Sequence, residues 1–166
     1  MKLAYIITAY ASAVQLERLI NTLDKPYHTF VIHIDKRQEQ VFEDTKKVFA
    51  GRDNVHLMED RYKIWWGRMN FTHSILSAMS YLVDNQIDYD YALLISEVDY
   101  PVKPIDQIEQ FFEDNHGKNF IDYALNDSKD HIWADWDPPA STKSRMEHWH
   151  LMFNTRLLLR IPMKRK

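Results

Sequence analysis

Two acidic residues stand where binding chemistry is easiest to build. Asp35 closes the apolar run Phe30-Val31-Ile32-His33-Ile34, and Asp99 follows the still more apolar Tyr91-Ala92-Leu93-Leu94-Ile95 through Ser96-Glu97-Val98. A carboxylate at the end of a buried strand can accept hydrogen bonds from a uracil N–H or a ribose hydroxyl. It can equally cap a turn or a helix. Two runs that end alike favour a shared ligand edge. Glu97 and Asp99 are two residues apart, a spacing that could hold a divalent metal against a diphosphate, since Mg²⁺ is often bound by one or two carboxylates plus phosphate oxygens. Carboxyl-x-carboxyl triplets are also common by chance, so spacing alone does not establish a metal.

Two further stretches carry chemical groups. Tyr62-Lys63-Ile64-Trp65-Trp66-Gly67-Arg68 sets two indoles, a glycine and flanking cations between two candidate elements. Aromatic faces stack on bases and sugars, and Arg pairs with phosphate. The structural alternative is a buried Trp that anchors the next helix, and it suits Trp65 better than Trp66. In Arg145-Met146-Glu147-His148-Trp149-His150, the positions i, i+3 and i+5 do not share one helical face, which argues against a metal triad. Arg145 is suited to face a cleft, while His148 and His150 fit ordinary surface or core histidines. Histidines 28, 33, 56, 73, 116 and 131 show no ligand spacing. No Gly-x-Ser-x-Gly elbow is present. The only glycines are Gly51, Gly67 and Gly117, and they form neither GxGxxG nor a P-loop. A nucleotide would therefore be gripped by side chains and loop ends.

The elements that must position these groups alternate. Ala4–Thr8 is an apolar strand; Ser12 stands as an N-cap before Val14, Leu16, Leu19, Ile20 and Leu23 at helical spacing. The Phe30–Ile34 strand, a polar helix over about 38–50 stopped by Gly51, and a short strand at Asn54–Met58 follow. Residues 69–83 read as a long helix with Phe71, Ile75, Ala78, Met79 and Leu82 on one face. The 91–95 strand, a helix over 105–115 and a strand at 119–123 complete the series. Such alternation implies an α/β fold: a mostly parallel central sheet with helices on both faces. Ligands on such sheets bind beyond the carboxyl ends of the strands, which singles out Thr8 to Tyr10, Asp35 and Ser96 to Asp99. Beyond Asn126 the pattern breaks, with Asp137-Pro138-Pro139 as a loop and a polar helix over about 141–159.

Composition limits the partners. The 166 residues suit one domain. Lys and Arg number 21 against 24 Asp and Glu, a net charge of −3, so there is no basic field to hold nucleic acid. Cysteine is absent, which excludes disulfides and thiolate chemistry and fits a cytoplasmic setting. No run reads as a signal peptide or a membrane span. The basic, apolar end Arg156 to Lys166 could touch anionic lipid at the membrane periphery, or could be a helix end that packs on another segment.

Several blocks occur together in order. Tyr5-Ile6-Ile7-Thr8-Ala9-Tyr10 precedes Gln15-Leu16-Glu17-Arg18-Leu19-Ile20. Val31-Ile32-His33-Ile34-Asp35-Lys36 follows, then Trp66-Gly67-Arg68 ahead of a long helix. Asp90-Tyr91-Ala92-Leu93-Leu94-Ile95-Ser96-Glu97-Val98-Asp99-Tyr100-Pro101-Val102-Lys103 comes next, then Asn119-Phe120-Ile121 and the Arg145 to His150 segment. This series resembles the core-2/I-branching glycosyltransferases, a family of β-1,6-N-acetylglucosaminyltransferases and peptide O-xylosyltransferases with many bacterial members. Its members carry a run similar to Leu-Leu-Ser-Gly-x-Asp-Tyr-Pro-Leu-Lys where this chain has the 93–103 block.

The resemblance implies a GT-A-like core spanning 1–166 as a single donor-binding domain. A Rossmann-like part would fill 1–125, and a loop and polar helix at 126–166 would face the acceptor. The C-terminal part of the family fold would be missing. It implies transfer from a UDP-sugar to a hydroxyl of a glycan or peptide acceptor, with inversion and without a metal or other cofactor. Asp35 would meet the uridine. Tyr10 and Trp66 would wall the nucleotide, with Thr8, Gly67 and Arg68 beside them, and Asp99 would lie near the donor sugar. Glu97, Arg145, His148 and His150 would belong to the acceptor side. Glu97 replaces the small glycine usual in the family, and its carboxylate could narrow the sugar pocket or change donor choice. The family's general base and principal basic pair would lie beyond Lys166, so no catalytic residue is assigned. A non-catalytic nucleotide-binding module is the alternative.

Overall fold

The computed structural model describes residues 1–65, 68–121, 148–153 and 156–164. The chain divides into two compact units, Met1–Gly117 and Lys118–Lys166.

β1 (Leu3–Ala9), β2 (Thr29–Ile34), β3 (Val55–Leu57) and β4 (Tyr91–Ser96) form a parallel sheet in the order β3-β2-β1-β4. β1 and β2 are apolar at nearly every position because both faces of the sheet are covered there, whereas on edge strand β4 Ala92 and Leu94 are exposed. Alternate residues of β1 divide between two cores. Leu3, Tyr5, Ile7 and Ala9 pack with α1 (Ala13–Leu23), α2 (Glu39–Val48) and α4 (Ile105–Asp114) through Leu16, Leu19, Phe42 and Ile108. Ala4 and Ile6, with Val31 and Met58, meet α3 (Asn70–Asp84) through Ala78 and Leu82. Helices therefore cover both faces, as the alternating pattern requires.

Each helix begins and turns for local reasons. Ser12 has an extended backbone, and its hydroxyl accepts from the Gln15 N–H at 3.3 Å, the N-cap expected for α1. Gly51, after α2, has φ +80°, a conformation that suits glycine. α3 keeps only part of its expected buried face. Its buried residues are Ser74, Ala78 and Leu82, whereas Phe71, Leu76, Met79 and Val83 are exposed. Two small side chains let this helix lie close to the sheet. Ala78 and Leu82 of the expected face are buried, whereas Phe71 and Met79 of that face turn outward and Ser74 completes the buried stripe.

The chain runs from β1 through β2 to β3, then returns to lay β4 on the opposite side of β1. The gap between the carboxyl ends of β1 and β4 is the topological switch point, where such sheets open a crevice. At the other end of the sheet, buried His28 bridges Leu23 O (2.8 Å) and Glu109 Oε1 (3.1 Å). Tyr5 stacks on Phe30 with centroids 5.1 Å apart, and its buried hydroxyl has no partner among the described residues. Burial raises the Tyr5 phenol above its ordinary value.

In the second unit, β5 (His148–Phe153) and β6 (Arg156–Lys164) pair antiparallel. This corrects the helix expected over 141–159 at residues 148–153 and 156–159; residues 141–147 and 154–155 lie outside the described residues. Pro162 would break a helix interior but is tolerated in an edge strand. The register sets Trp149 opposite Ile161 and Leu151 opposite Leu159, pairings that a hairpin favours. The basic end is thus a strand rather than a helix end up to Lys164. Residues 119–121 belong to no strand, and the remainder of the strand expected there lies outside the described residues. Among the described residues no helix is long and apolar enough to cross a membrane.

Candidate functional site

Asp35 ends β2 on the carboxyl edge and is only 2% exposed. A carboxylate so buried must be satisfied internally, and the turn that follows provides for it. Arg37 folds back so that its Nε lies 3.1 and 3.0 Å from Oδ1 and Oδ2, and its Nη2 lies 2.5 Å from Oδ2. The backbone N–H groups of Arg37 (2.9 Å) and Ile64 (3.3 Å) also donate to Oδ1. Burial alone would raise the Asp35 carboxyl. The hydrogen bonds from Arg37 and Ile64, with the charge of Arg37, outweigh it and hold Asp35 below its ordinary value. The same bonding raises Arg37 further.

Arg37 then carries the geometry outward. Its guanidinium lies over the Trp65 ring, 4.7 Å from the centroid, and Arg68 approaches the same ring at 5.9 Å. Both distances suit cation–π attraction. Trp65 is 39% exposed, so an indole flanked by two guanidiniums faces solvent beside a buried carboxylate. Stacking and anion pairing are the interactions this arrangement offers.

The segment that carries Trp65 is fixed to the sheet by a histidine. His33 is 1% exposed, and its Nε2 lies 2.9 Å from the Tyr62 N–H, which donates to it. Tyr62 O in turn accepts from Lys36 N at 3.0 Å. The rings of His33, Tyr62 and His73 of α3 form a stacked column with centroids 5.9 and 6.2 Å apart. Burial lowers His33 below its ordinary value. The ring is therefore neutral near neutrality, with Nε2 as the acceptor and the proton on Nδ1.

At the switch point, Glu97 is fully buried, and its carboxylate accepts from the N–H of Ala11 (2.6 Å) and Ser12 (3.4 Å). Its own N–H donates to Thr8 O at 3.1 Å. Asp99 turns back on its strand and accepts from Ser96 N at 2.7 Å. Both acids are thus engaged by backbone amides. Among the described residues no three His, Asp or Glu side chains group as a metal site. Tyr10 is exposed in the loop that Glu97 ties down.

A family model for the core-2/I-branching enzymes matches residues 3–161. The chain belongs to the core-2/I-branching enzyme family. Among its relatives, xylosyltransferase oxt of Drosophila pseudoobscura pseudoobscura is 29% identical over 122 residues, 73% of this chain and 14% of that protein. Xylosyltransferase sqv-6 of Caenorhabditis elegans is 32% identical over 109 residues, 64% of this chain and 14% of that protein. Human xylosyltransferase 2 is 28% identical over 123 residues, with shares of 73% and 14%. The chain thus matches only 14% of the length of these relatives.

Within this branching-enzyme chain, Thr8, Tyr10, Asp35, Glu97 and Asp99 lie at or just beyond the carboxyl ends of β1, β2 and β4, and Arg68 reaches Asp35 through Trp65 and Arg37. Trp66, Gly67 and Arg145 lie outside the described residues. His148 and His150 belong to β5 in the second unit, opposite Lys164 and Arg160. Arg37 and His33 were not singled out from sequence, and Trp65 was read as a buried anchor. Arg37 left one signal: an Arg two residues after a strand-ending Asp is close enough to fold back onto it.

Proposed function

We propose that this chain is the donor-binding part of a glycosyltransferase that takes a UDP-sugar and serves transfer to a hydroxyl of a glycan or peptide, with inversion and without a metal ion. The observation that carries the reading is the cluster at the carboxyl edge, in which buried Asp35 fixes Arg37 against exposed Trp65 with Arg68 beside it. Family membership and the xylosyltransferase names of the relatives support it. The uridine meets the Asp35–Arg37 pair, with Tyr10 and the indoles as walls. Arg37 spends Nε and one Nη2 proton on Asp35, which leaves guanidinium donors for ligand oxygens. Asp99 stands near the donor sugar, and Arg145, His148 and His150 serve the acceptor side. A xylosyl or N-acetylglucosaminyl donor fits this reading. Among partners, peripheral contact with a membrane belongs to the same proposal, and nucleic acid does not.

Isothermal calorimetry with UDP tests it. A dissociation constant of about 1 mM, roughly −4 kcal/mol, is expected. Asp35→Ala releases Arg37 and should abolish binding while circular dichroism stays that of a folded α/β domain. No heat of UDP binding by the unaltered chain, or undiminished affinity in Asp35→Ala, refutes the assignment.

A further inference from the structure

In open α/β sheets the first helix after the central strand aims its amino end at the switch-point crevice. Its free N–H groups and dipole make that end a natural seat for phosphate. Here a carboxylate of the protein sits just ahead of that end, on the residue before the N-cap and on the N-cap Ser12 itself. Glu97 reaches across from β4, is fully buried, and takes the N–H groups of Ala11 and Ser12. Ser12 Oγ takes the Gln15 N–H. α1 has no acidic residue in its own first turn, so its positive end is neutralised from 86 residues along the chain. Among the described residues no Lys or Arg pairs with Glu97, so the two amides and the helix dipole are what stabilise its charge. The connecting residues are Tyr10-Ala11-Ser12, with no glycine to let a phosphate approach the backbone closely. An incoming phosphate would have to expel a buried carboxylate or sit beside its charge. Arg37 and Arg68 lie elsewhere on the described edge, around Trp65.

We propose that Glu97 is a specificity-determining residue. It closes the amino end of α1 to phosphate and thereby directs the donor's diphosphate to the Arg37–Trp65–Arg68 side of the edge. The placement of the diphosphate rests on the UDP-sugar reading above; the closure of α1 does not.

The test is amide and arginine side-chain NMR on the whole chain, with UDP and inorganic pyrophosphate as probes. With the unaltered protein, UDP should shift the Nε signals of Arg37 or Arg68 saturably and leave the Ala11 and Ser12 amides in place. In Glu97→Ala, pyrophosphate should shift the Ala11 and Ser12 amides with at least about tenfold higher affinity than before, the change that one like charge removed from contact distance produces. Glu97→Gln keeps the shape and removes the charge. It should show a gain of several-fold and carries the test where the alanine variant does not fold. Saturable movement of Ala11 and Ser12 in the unaltered protein overturns the proposal, as does unchanged pyrophosphate affinity in a folded variant. If UDP shifts nothing in the unaltered chain, the donor reading fails, and the pyrophosphate comparison still decides the role of Glu97.

Discussion

Lowering the pH below neutrality should loosen the candidate site through one buried ring. His33 accepts the Tyr62 N–H through Nε2, and protonation would set a donor against a donor at a buried position. Burial lowers its affinity for protons most; Arg61 acts in the same direction, while Asp35 and Asp60 oppose it. The folded chain therefore resists protonation, whereas the unfolded chain takes the proton near pH 6.5. The contribution of His33 to stability is complete above about pH 6.5 and is lost as pH falls toward the lowered folded value, at up to about 1.4 kcal/mol per pH unit. His56 is lowered by burial as well, with Nδ1 3.2 Å from the Tyr81 hydroxyl. The two together give a slope of up to about 2.7 kcal/mol per unit. Urea unfolding followed by circular dichroism from about pH 8 to about pH 5 measures it, because this is the range in which histidine changes charge. His33→Gln keeps an acceptor near Nε2 but does not titrate, so it should remove about half of that slope. His33→Phe leaves the Tyr62 N–H unpaired and should lower stability by about 1–3 kcal/mol at neutral pH, a deficit that shrinks in acid as the unaltered chain loses the contact itself. UDP affinity should fall along the same pH curve, because the Tyr62 contact holds the Trp65 segment. A flat stability profile down to about pH 5.5, or a His33→Gln variant with the full slope, would refute this reasoning.

Three other perturbations have definite outcomes. Arg37→Lys replaces a two-pronged fork with a point charge and should weaken UDP binding by about tenfold in calorimetry. Tyr5→Phe removes a buried hydroxyl with no partner among the described residues and should raise stability by about 1 kcal/mol, seen as a melting temperature a few degrees higher. Addition of EDTA should leave UDP affinity unchanged; loss of binding would show that Glu97 and Asp99 hold a metal.

Much of the first unit was legible because its signals are local. Apolar runs bounded by polar residues located four strands, and Ser12 marked the start of α1. The edge carrying Thr8, Asp35 and Asp99 followed from the rule for parallel sheets alone. What stayed hidden depends on contacts between distant segments. Nothing in Glu97-Val98-Asp99 announces that Glu97 is buried against Ala11. Trp65 looked like a core anchor because its exposure depends on where Arg37 turns. The outward stripe of α3 was missed because a helix apolar on two sides gives no rotational signal. The hairpin of β5 and β6 was missed because Arg, His and Leu suit a helix by propensity. Pro162, which a helix interior does not tolerate, works against that preference.

The strand order has a consequence for the time course of folding. β1, α1 and β2 are neighbours in sequence, but β4 reaches β1 only after the intervening chain is laid down: Lys2 N meets the Asp90 carboxylate across 88 positions. Closing so long a loop delays the contact relative to its local neighbours. The crevice wall formed by β4, including the Glu97 clamp, is therefore a late arrival. Changes confined to it should act on how fast the chain comes apart rather than on how fast it comes together. The residues that shape the crevice would thus also govern the protein's kinetic lifetime.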